Sequence, residues 1–154
     1  TNSKALKKLN ILKNRKDPLS IIVSSLSQIK KYGKLNKESE KLVGQILPGP
    51  FTILIESIDS NLSPLVNESS EYTGIRIPNH PFSIKLVETL GRPIITTSVN
   101  KKNKTPLNDI YEMEKTFKNI DIFKDKINID SKGSTIINLA VNPYKIIRHG
   151  DGVL

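Results

Sequence analysis

The 154-residue chain has no cysteine, no tryptophan and a single methionine, Met113. The absence of cysteine excludes a disulfide framework, a thiolate metal site and a cysteine nucleophile. No apolar run approaches the roughly 20 residues that a membrane helix needs, and no signal-peptide pattern opens the chain. The length corresponds to one domain, and we expect a cytoplasmic protein.

Several common functional motifs are also missing. The sequence contains no Gly-rich P-loop, no G-x-G-x-x-G dinucleotide turn and no G-x-S-x-G nucleophile elbow. Its two histidines, His80 and His149, do not have the spacing of metal ligands. No pair of carboxylates stands out as the acid and base of a hydrolase. We therefore predict neither a resident metal site nor a covalent nucleophile.

The charge is strongly positive, with a formal net value of +9 at pH 7. Such a charge attracts phosphates, nucleotides and RNA without selecting among them. Most of the basic residues are lysines, many of which are expected on solvated faces. Arginine is scarcer and more informative, because its planar, forked guanidinium matches phosphate and carboxylate groups. The four arginines, each next to a turn or at a predicted strand end, are Arg15, Arg76, Arg92 and Arg148.

Hydrophobic periodicity and breakers predict alternating helices and strands. Helices are expected over 1–13, 24–31, 80–90 and 108–118, with a further helix capped by Asn36 and ended by Pro48. Strands are expected at 19–23, 51–55, 74–78, 93–97, 120–123, 135–139 and 145–148. This order predicts an α+β (α/β-like) fold, a mixed sheet with helices packed against it, without internal repeats or an interior domain boundary.

Polar and basic residues cluster where the predicted strands end. The segments are Lys13-Asn14-Arg15, Gly74-Ile75-Arg76, Thr97-Ser98-Val99-Asn100, Gly133-Ser134-Thr135 and Arg148-His149-Gly150. Because ligands of open sheets gather at strand ends, these segments could converge on one anionic site. The residues alone leave other interpretations open: Ser98 and Asn100 also suit turns, Lys13 and Arg15 suit a surface pair, and Arg76 suits a salt bridge.

Six motifs in order make the pattern specific. They are a K-x-R after the first helix, P-G-P-F-T at 48–52, G-I-R-I-P-N-H-P at 74–81, S-V-N at 98–100, S-T-I-I at 134–137 and I-R-H-G at 147–150. In order and spacing the chain resembles the YrdC family, and the resemblance runs from the first residues to about Gly152. The resemblance implies a YrdC-type twisted mixed sheet flanked by helices.

Two features of the family pattern are missing. A P-T-x-T-x-Y-G-[LV] segment, which in family members contributes strands and part of a threonine pocket, would precede Thr1. We therefore expect residues 1–154 to be a single YrdC-like domain lacking its N-terminal strand segment, since Thr1 is not an expected initiator residue. Since the sequence ends soon after Arg148, we also expect it to lack the extra C-terminal domain of longer relatives and to be similar to the single-domain TsaC form.

The resemblance implies an enzyme, an L-threonylcarbamoyladenylate synthase. Family members combine L-threonine, bicarbonate or CO2 and ATP, used with Mg²⁺, into threonylcarbamoyl-AMP and pyrophosphate. A threonylcarbamoyl transferase complex then modifies adenosine 37 of tRNA, so tRNA itself is a possible partner, directly or indirectly. Such phosphoryl-type transfers depend on positioning and charge neutralisation, which suits a site with several cations and no nucleophile.

The resemblance also assigns roles to residues. Lys13 and Arg15 are expected to act as the catalytic cations that hold the triphosphate and stabilise the departing pyrophosphate. ATP or substrate contacts are further implied for Arg76, Ser98, Asn100, Ser134 and Arg148, with Thr97 and His80 as additional candidates. His80 is expected mainly to start a helix, and residues 48–50 to shape the backbone.

Two alternatives to the synthase remain open from the sequence. One is a non-enzymatic RNA-binding relative, favoured by the +9 charge and by the missing N-terminal segment. The other is a divergent enzyme acting on another carbamoyl compound, like the related domain of hydrogenase-maturation proteins. Retention of both K-x-R and S-x-N argues against this last alternative.

Overall fold

A computed structural model describes residues 2–14, 17–68, 70–124 and 130–154. In these residues the helices are α1 (Ser3–Lys13), α2 (Leu26–Ile29), α3 (Lys37–Ile46), α4 (Pro81–Leu90) and α5 (Ile110–Thr116). The strands are β1 (Ser20–Ile22), β2 (Gly33–Lys34), β3 (Phe51–Ser57), β4 (Tyr72–Arg76), β5 (Ile94–Thr96), β6 (Thr135–Asn138) and β7 (Lys145–Arg148). None of the helices in the described ranges is both long and apolar enough to cross a bilayer.

Side-chain caps explain where three helices begin. The Asn2 carboxamide oxygen accepts a hydrogen bond from the Ala5 amide at 3.1 Å, and Asn36 accepts one from the Ser39 amide at 2.8 Å. Helix α4 starts at Pro81 after its cap residue His80, and it ends at Gly91, whose φ of +62° favours glycine. The predicted starts of α1, α3 and α4 are therefore confirmed.

The strands form one mixed sheet in the order β5-β1-β4-β3-β6-β7. Strand β1 pairs parallel with β4 and β3 pairs parallel with β6, whereas β1–β5, β3–β4 and β6–β7 are antiparallel. Strand β2 joins the end of β3 through Gly33 and Lys34. The predicted fold class, a mixed sheet with flanking helices, is confirmed.

One row of paired residues across the sheet consists entirely of isoleucine. From β5 to β6 its members are Ile95, Ile21, Ile75, Ile53 and Ile137. All five belong to the hydrophobic core or pack against it, together with Leu6 of α1, Ile29 of α2 and Val43 of α3. Because strand side chains alternate between faces, this isoleucine row faces the helices, and its neighbours along each strand face the opposite side.

The opposite face carries polar and charged residues together with small and apolar ones. Its residues include Ser20, Gly74 and Leu54, which are cross-strand partners on β1, β4 and β3. Arg76 follows two residues later on β4, on the same face as Gly74. The alternation of Gly74, Ile75, Arg76 and Ile77 thus sends the isoleucines into the core and the arginine to the other side, as the sequence predicts.

Two local predictions differ from the structure. The strand predicted at 120–123 is wrong: this segment has no regular structure, because it pairs with no strand of the sheet. Its apolar side chains instead line a groove, and the Phe123 ring lies 5.9 Å from that of Phe82. Strand β2 was not predicted, since two residues are too few to show an alternating pattern.

Candidate functional site

A cavity of about 460 Å³ lies over the polar face of the sheet. Its floor is formed by alternate residues of the central strands: Ser20, Thr52, Leu54, Tyr72, Gly74 and Arg76. Its rim comes from the segments around residues 96–98, 131–134 and 148–151. The sequence placed candidate residues at strand ends, and the structure adds the strand residues between those ends to the same cavity.

Arg76 is the most unusual residue of the cavity. Its Nε is buried, and among the described residues it has no hydrogen-bond partner. Burial, and then the positive charge of Arg148, lower the pKa of the Arg76 guanidinium. No ion pair joins Arg76 to a carboxylate of the described residues, so the salt bridge considered from the sequence is not formed there. An anionic ligand would satisfy this guanidinium.

Arg148 reaches the same cavity from β7. Its Nε and Nη2 donate to the Ser134 carbonyl oxygen at 3.2 and 2.7 Å, and Nη2 also donates to the Ser134 hydroxyl at 3.2 Å. The Ser134 hydroxyl lies 2.7 Å from that of Thr52. The S-T-I-I, P-G-P-F-T and I-R-H-G motifs therefore meet in one hydrogen-bonded group.

Lys13 lies at the end of α1 and is buried, with 3% of its surface exposed. Its ammonium donates to the Ser98 carbonyl oxygen, and to the Asn100 side-chain oxygen at 3.0 Å. The Ser98 hydroxyl donates to that same oxygen at 2.7 Å. The lysine of K-x-R thus contacts both polar residues of S-x-N, although they are distant in sequence. Arg15, the other predicted catalytic cation, lies outside the described residues.

The predicted residues form two neighbouring groups. Arg76, Ser134 and Arg148 line the polar cavity, whereas Lys13 and Asn100 line an adjacent, mainly apolar groove of about 320 Å³. Thr97 and Ser98 line both. The groove runs between α1, α5 and the segment at 120–123. A ligand that crosses residues 97 and 98 would therefore contact both groups.

His80 does not line either depression. Its Nδ1 accepts a hydrogen bond from the Ser83 amide at 3.4 Å, and its ring lies edge-on to Phe82. The structure thus places His80 at a helix start, the position that the sequence favoured for it.

The sequence interpretation missed several residues of the cavity. Thr52 was part of a recognised motif, and the strand alternation of Phe51, Thr52 and Ile53 would have placed it opposite the core. Gly74 was also quoted without a role: a Cβ atom there would lie 3.2 Å from that of Ser20, so glycine keeps the floor flat. Asp151 follows the last motif, and nothing in the sequence marked it.

The site combines two guanidiniums, a buried ammonium, hydroxyls and amides. Among the described residues, no group of three or more His, Cys, Asp or Glu side chains could hold a metal ion. The chemistry of such a site, on the open face of an α+β sheet, suits an anionic ligand that carries a phosphate or carboxylate group. A family model described as "Telomere recombination", covering Sua5, YciO and YrdC proteins, matches residues 1–150. The chain therefore belongs to the Sua5/YciO/YrdC family.

Relatives and solved structures agree with this membership. The threonylcarbamoyl-AMP synthase of Buchnera aphidicola subsp. Acyrthosiphon pisum is 34% identical over 96% of this chain and 86% of its own length. The mouse threonylcarbamoyl-AMP synthase is 28% identical over 97% of the chain, which spans 56% of the mouse protein. The crystal structure of P. abyssi Sua5 complexed with L-threonine superposes with a TM-score of 0.86 at 26% identity, covering 97% of this chain and 45% of Sua5.

Proposed function

We propose that this chain is an L-threonylcarbamoyladenylate synthase, which forms threonylcarbamoyl-AMP and pyrophosphate from L-threonine, bicarbonate or CO2 and ATP. The observation that carries the proposal is that five separate motifs meet in two neighbouring hydrogen-bonded groups, one around Lys13 and one around Arg148 and Ser134. Relatives that match almost the whole chain bear the name of this enzyme. The product would be passed to a threonylcarbamoyl transferase complex that modifies tRNA.

This reaction needs groups that position the substrates and neutralise their negative charge, and it needs no covalent intermediate with the protein. An oxygen of the threonine carbamate attacks the α-phosphorus of ATP, and the bond to the β-phosphate oxygen breaks to release pyrophosphate. Lys13 and Arg15 are proposed to hold the triphosphate and offset the charge that develops on the leaving group. Because Lys13 already contacts Ser98 and Asn100, its ammonium is oriented before ATP binds.

The second group of residues would contact the rest of the substrates. Arg148 and Ser134 offer donors to phosphate oxygens, and Arg76 offers a buried guanidinium to a carboxylate or phosphate. Ser98 and Asn100 would bond nucleotide or carbamate oxygens, with Thr97 beside them. Mg²⁺ would enter as the counterion of ATP, since it is commonly bound through substrate phosphates and only one or two carboxylates.

A pyrophosphate-release assay tests the proposal. With ATP, Mg²⁺ and bicarbonate, we expect release that depends on L-threonine. The assay would use this chain and the same chain joined to the P-T-x-T-x-Y-G-[LV] segment of the family. We expect faster release from the longer polypeptide, because that segment supplies part of the threonine pocket in family members. No release from either polypeptide, with both folded, would contradict the enzyme assignment.

Direct RNA binding is a second candidate function, favoured by one surface. Helix α1 exposes Lys4, Lys7 and Lys8. The loop carrying Lys101, Lys102 and Lys104 is held beside its end by a 3.0 Å hydrogen bond from the Lys102 amide to the Lys13 carbonyl. We call these six residues the lysine strip. Residues 2–14 and 101–107 contain no acidic side chain that would offset the charge of the strip.

Changing Lys4, Lys7 and Lys8 to Glu is expected to weaken tRNA binding and to flatten its salt dependence. Each lost phosphate contact makes the negative slope of log K against log salt less steep by roughly 0.7–0.9, and a filter-binding series in KCl measures this slope. The matched control makes the same charge change at the exposed Lys37, Lys41 and Lys85. Equal losses in both variants would show a general charge effect and no binding surface. RNA binding without any threonine-dependent pyrophosphate release would instead favour the non-enzymatic relative.

A divergent activity on another carbamoyl compound is the third candidate. Under this candidate, pyrophosphate would be released from ATP when carbamoyl phosphate is added. Threonine with bicarbonate would not support the release. The same assay therefore separates it from the synthase.

A further inference from the structure

Asp151 is the only carboxylate among the described residues that line the polar cavity. No ion pair joins Asp151 to a cation of the described residues, and both of its carboxylate oxygens accept hydrogen bonds from other residues of the chain. One oxygen accepts from the Ser131 hydroxyl at 2.6 Å and the other from the Lys132 amide at 2.8 Å. The Asp151 amide in turn donates to the Gly133 carbonyl at 2.8 Å. Three hydrogen bonds thus fasten one exposed residue to three consecutive loop residues.

Further contacts on either side of Asp151 extend this attachment. The Gly150 amide donates to the Thr135 hydroxyl at 2.9 Å, and that hydroxyl donates to the Gly152 carbonyl at 2.7 Å. The two segments are so close that a Cβ atom on Gly150 would lie 2.2 Å from the Gly133 carbonyl oxygen. Residues 150–152 therefore lie directly against residues 133–135.

The attached loop carries Ser134, whose carbonyl and hydroxyl oxygens accept the three hydrogen bonds from Arg148. The orientation of that guanidinium thus depends on the position of Ser134. Asp151 takes no part in the hydrogen bonds between Arg148 and Ser134. It instead holds the loop of residues 131–133, which leads directly into Ser134. Both donors that meet Asp151 require an acceptor, a role that a carboxylate fills with both oxygens and a carboxamide with only one.

We infer that Asp151 is a positioning residue, whose carboxylate holds residues 131–134 so that Ser134 orients the Arg148 guanidinium in the cavity. For its effect on ATP the inference rests on the proposed function, whereas the loop contact itself does not. A role limited to stabilising a surface loop would lower the melting temperature and leave ligand affinity unchanged in the folded protein.

The test measures the protection of the loop from hydrogen exchange and the affinity for ATP in separate experiments. Hydrogen–deuterium exchange of residues 131–135 is compared in the wild-type chain, Asp151→Ala, Asp151→Asn and the control Asp59→Asn, whose side chain is exposed and does not line the cavity. The affinity for ATP is measured by calorimetry well below the melting temperature of each variant. We expect faster exchange and about tenfold weaker ATP binding for Asp151→Ala. A smaller loss is expected for Asp151→Asn and none for Asp59→Asn.

Each outcome tests one part of the inference about Asp151. Unchanged exchange in Asp151→Ala would overturn the loop contact. Faster exchange with unchanged ATP affinity would overturn the positioning role. A wild-type chain that does not bind ATP would overturn the proposed function, while the exchange data would still decide the contact. Ser131→Ala removes one donor of the same contact and should reproduce a weaker form of both effects.

Discussion

Replacing Arg76 with methionine is expected to lower threonine-dependent pyrophosphate release at least about 100-fold, without lowering the thermal stability of the protein. The guanidinium has a buried Nε that lacks a partner among the described residues, and Arg148 adds repulsion. A group in this state weakens the ligand-free fold, because its desolvation is not repaid by hydrogen bonds. Methionine keeps the length of the side chain and removes both the charge and the unsatisfied donor.

Differential scanning calorimetry and the pyrophosphate assay measure the two effects together. A stability gain of about 1 kcal/mol would raise the melting temperature by roughly 2–4 °C in a chain of this size. Arg92→Met is the matched control, since Arg92 is exposed and does not line the cavity. A variant that loses several degrees of melting temperature together with its activity would show that Arg76 is a structural residue.

Replacing Lys13 with methionine is expected to cause a comparable loss of turnover, about 100-fold or more, but with the opposite effect on stability. The Lys13 ammonium is buried and hydrogen-bonded to Ser98 and Asn100. Its removal leaves the Ser98 carbonyl oxygen without this donor, and lost hydrogen bonds to a charged group cost about 1.5–3 kcal/mol. The melting temperature should therefore fall by several degrees.

Lys7→Met provides the control, because Lys7 is exposed on the same helix. Steady-state kinetics at saturating threonine, with ATP varied, would distinguish weaker ATP binding from slower chemistry. A fall in kcat at unchanged KM would place the effect in the transition state, as expected for a group that stabilises the leaving pyrophosphate. Turnover within threefold of the wild type would remove Lys13 from the proposed site.

The sequence predicted the fold and the family well, for identifiable reasons. Capping residues such as Asn2 and Asn36 act locally, and the alternation around Ile75 and Arg76 assigns faces to a strand without knowledge of its partners. The six ordered motifs identified the family, which the family model and the relatives confirm. The roles assigned to Lys13, Arg15, Arg76 and the other site residues, and the single-domain boundary, stay predictions.

The remaining features depend on contacts between distant segments. The pairing of β3 with β6 brings Thr52 beside Ser134, and no local pattern specifies that register. Asp151 acquires its partners only when the end of the chain folds against residues 131–133. The residues at 120–123 resembled a strand because a short, mainly apolar segment is too short for its periodicity to distinguish a strand from a loop that is packed against the protein.

The two parallel strand pairs have a consequence for how the protein folds. They join Ser20 to Gly74 and Phe51 to Thr135, so β1 and β6 pair with the central, antiparallel β3–β4 pair only after long loops have closed. Closing such loops lowers the entropy of the chain before the stabilising contacts form, which slows folding relative to helical proteins of the same size. Residues of both parallel pairs line the polar cavity, so ligand binding would report that both pairs have formed.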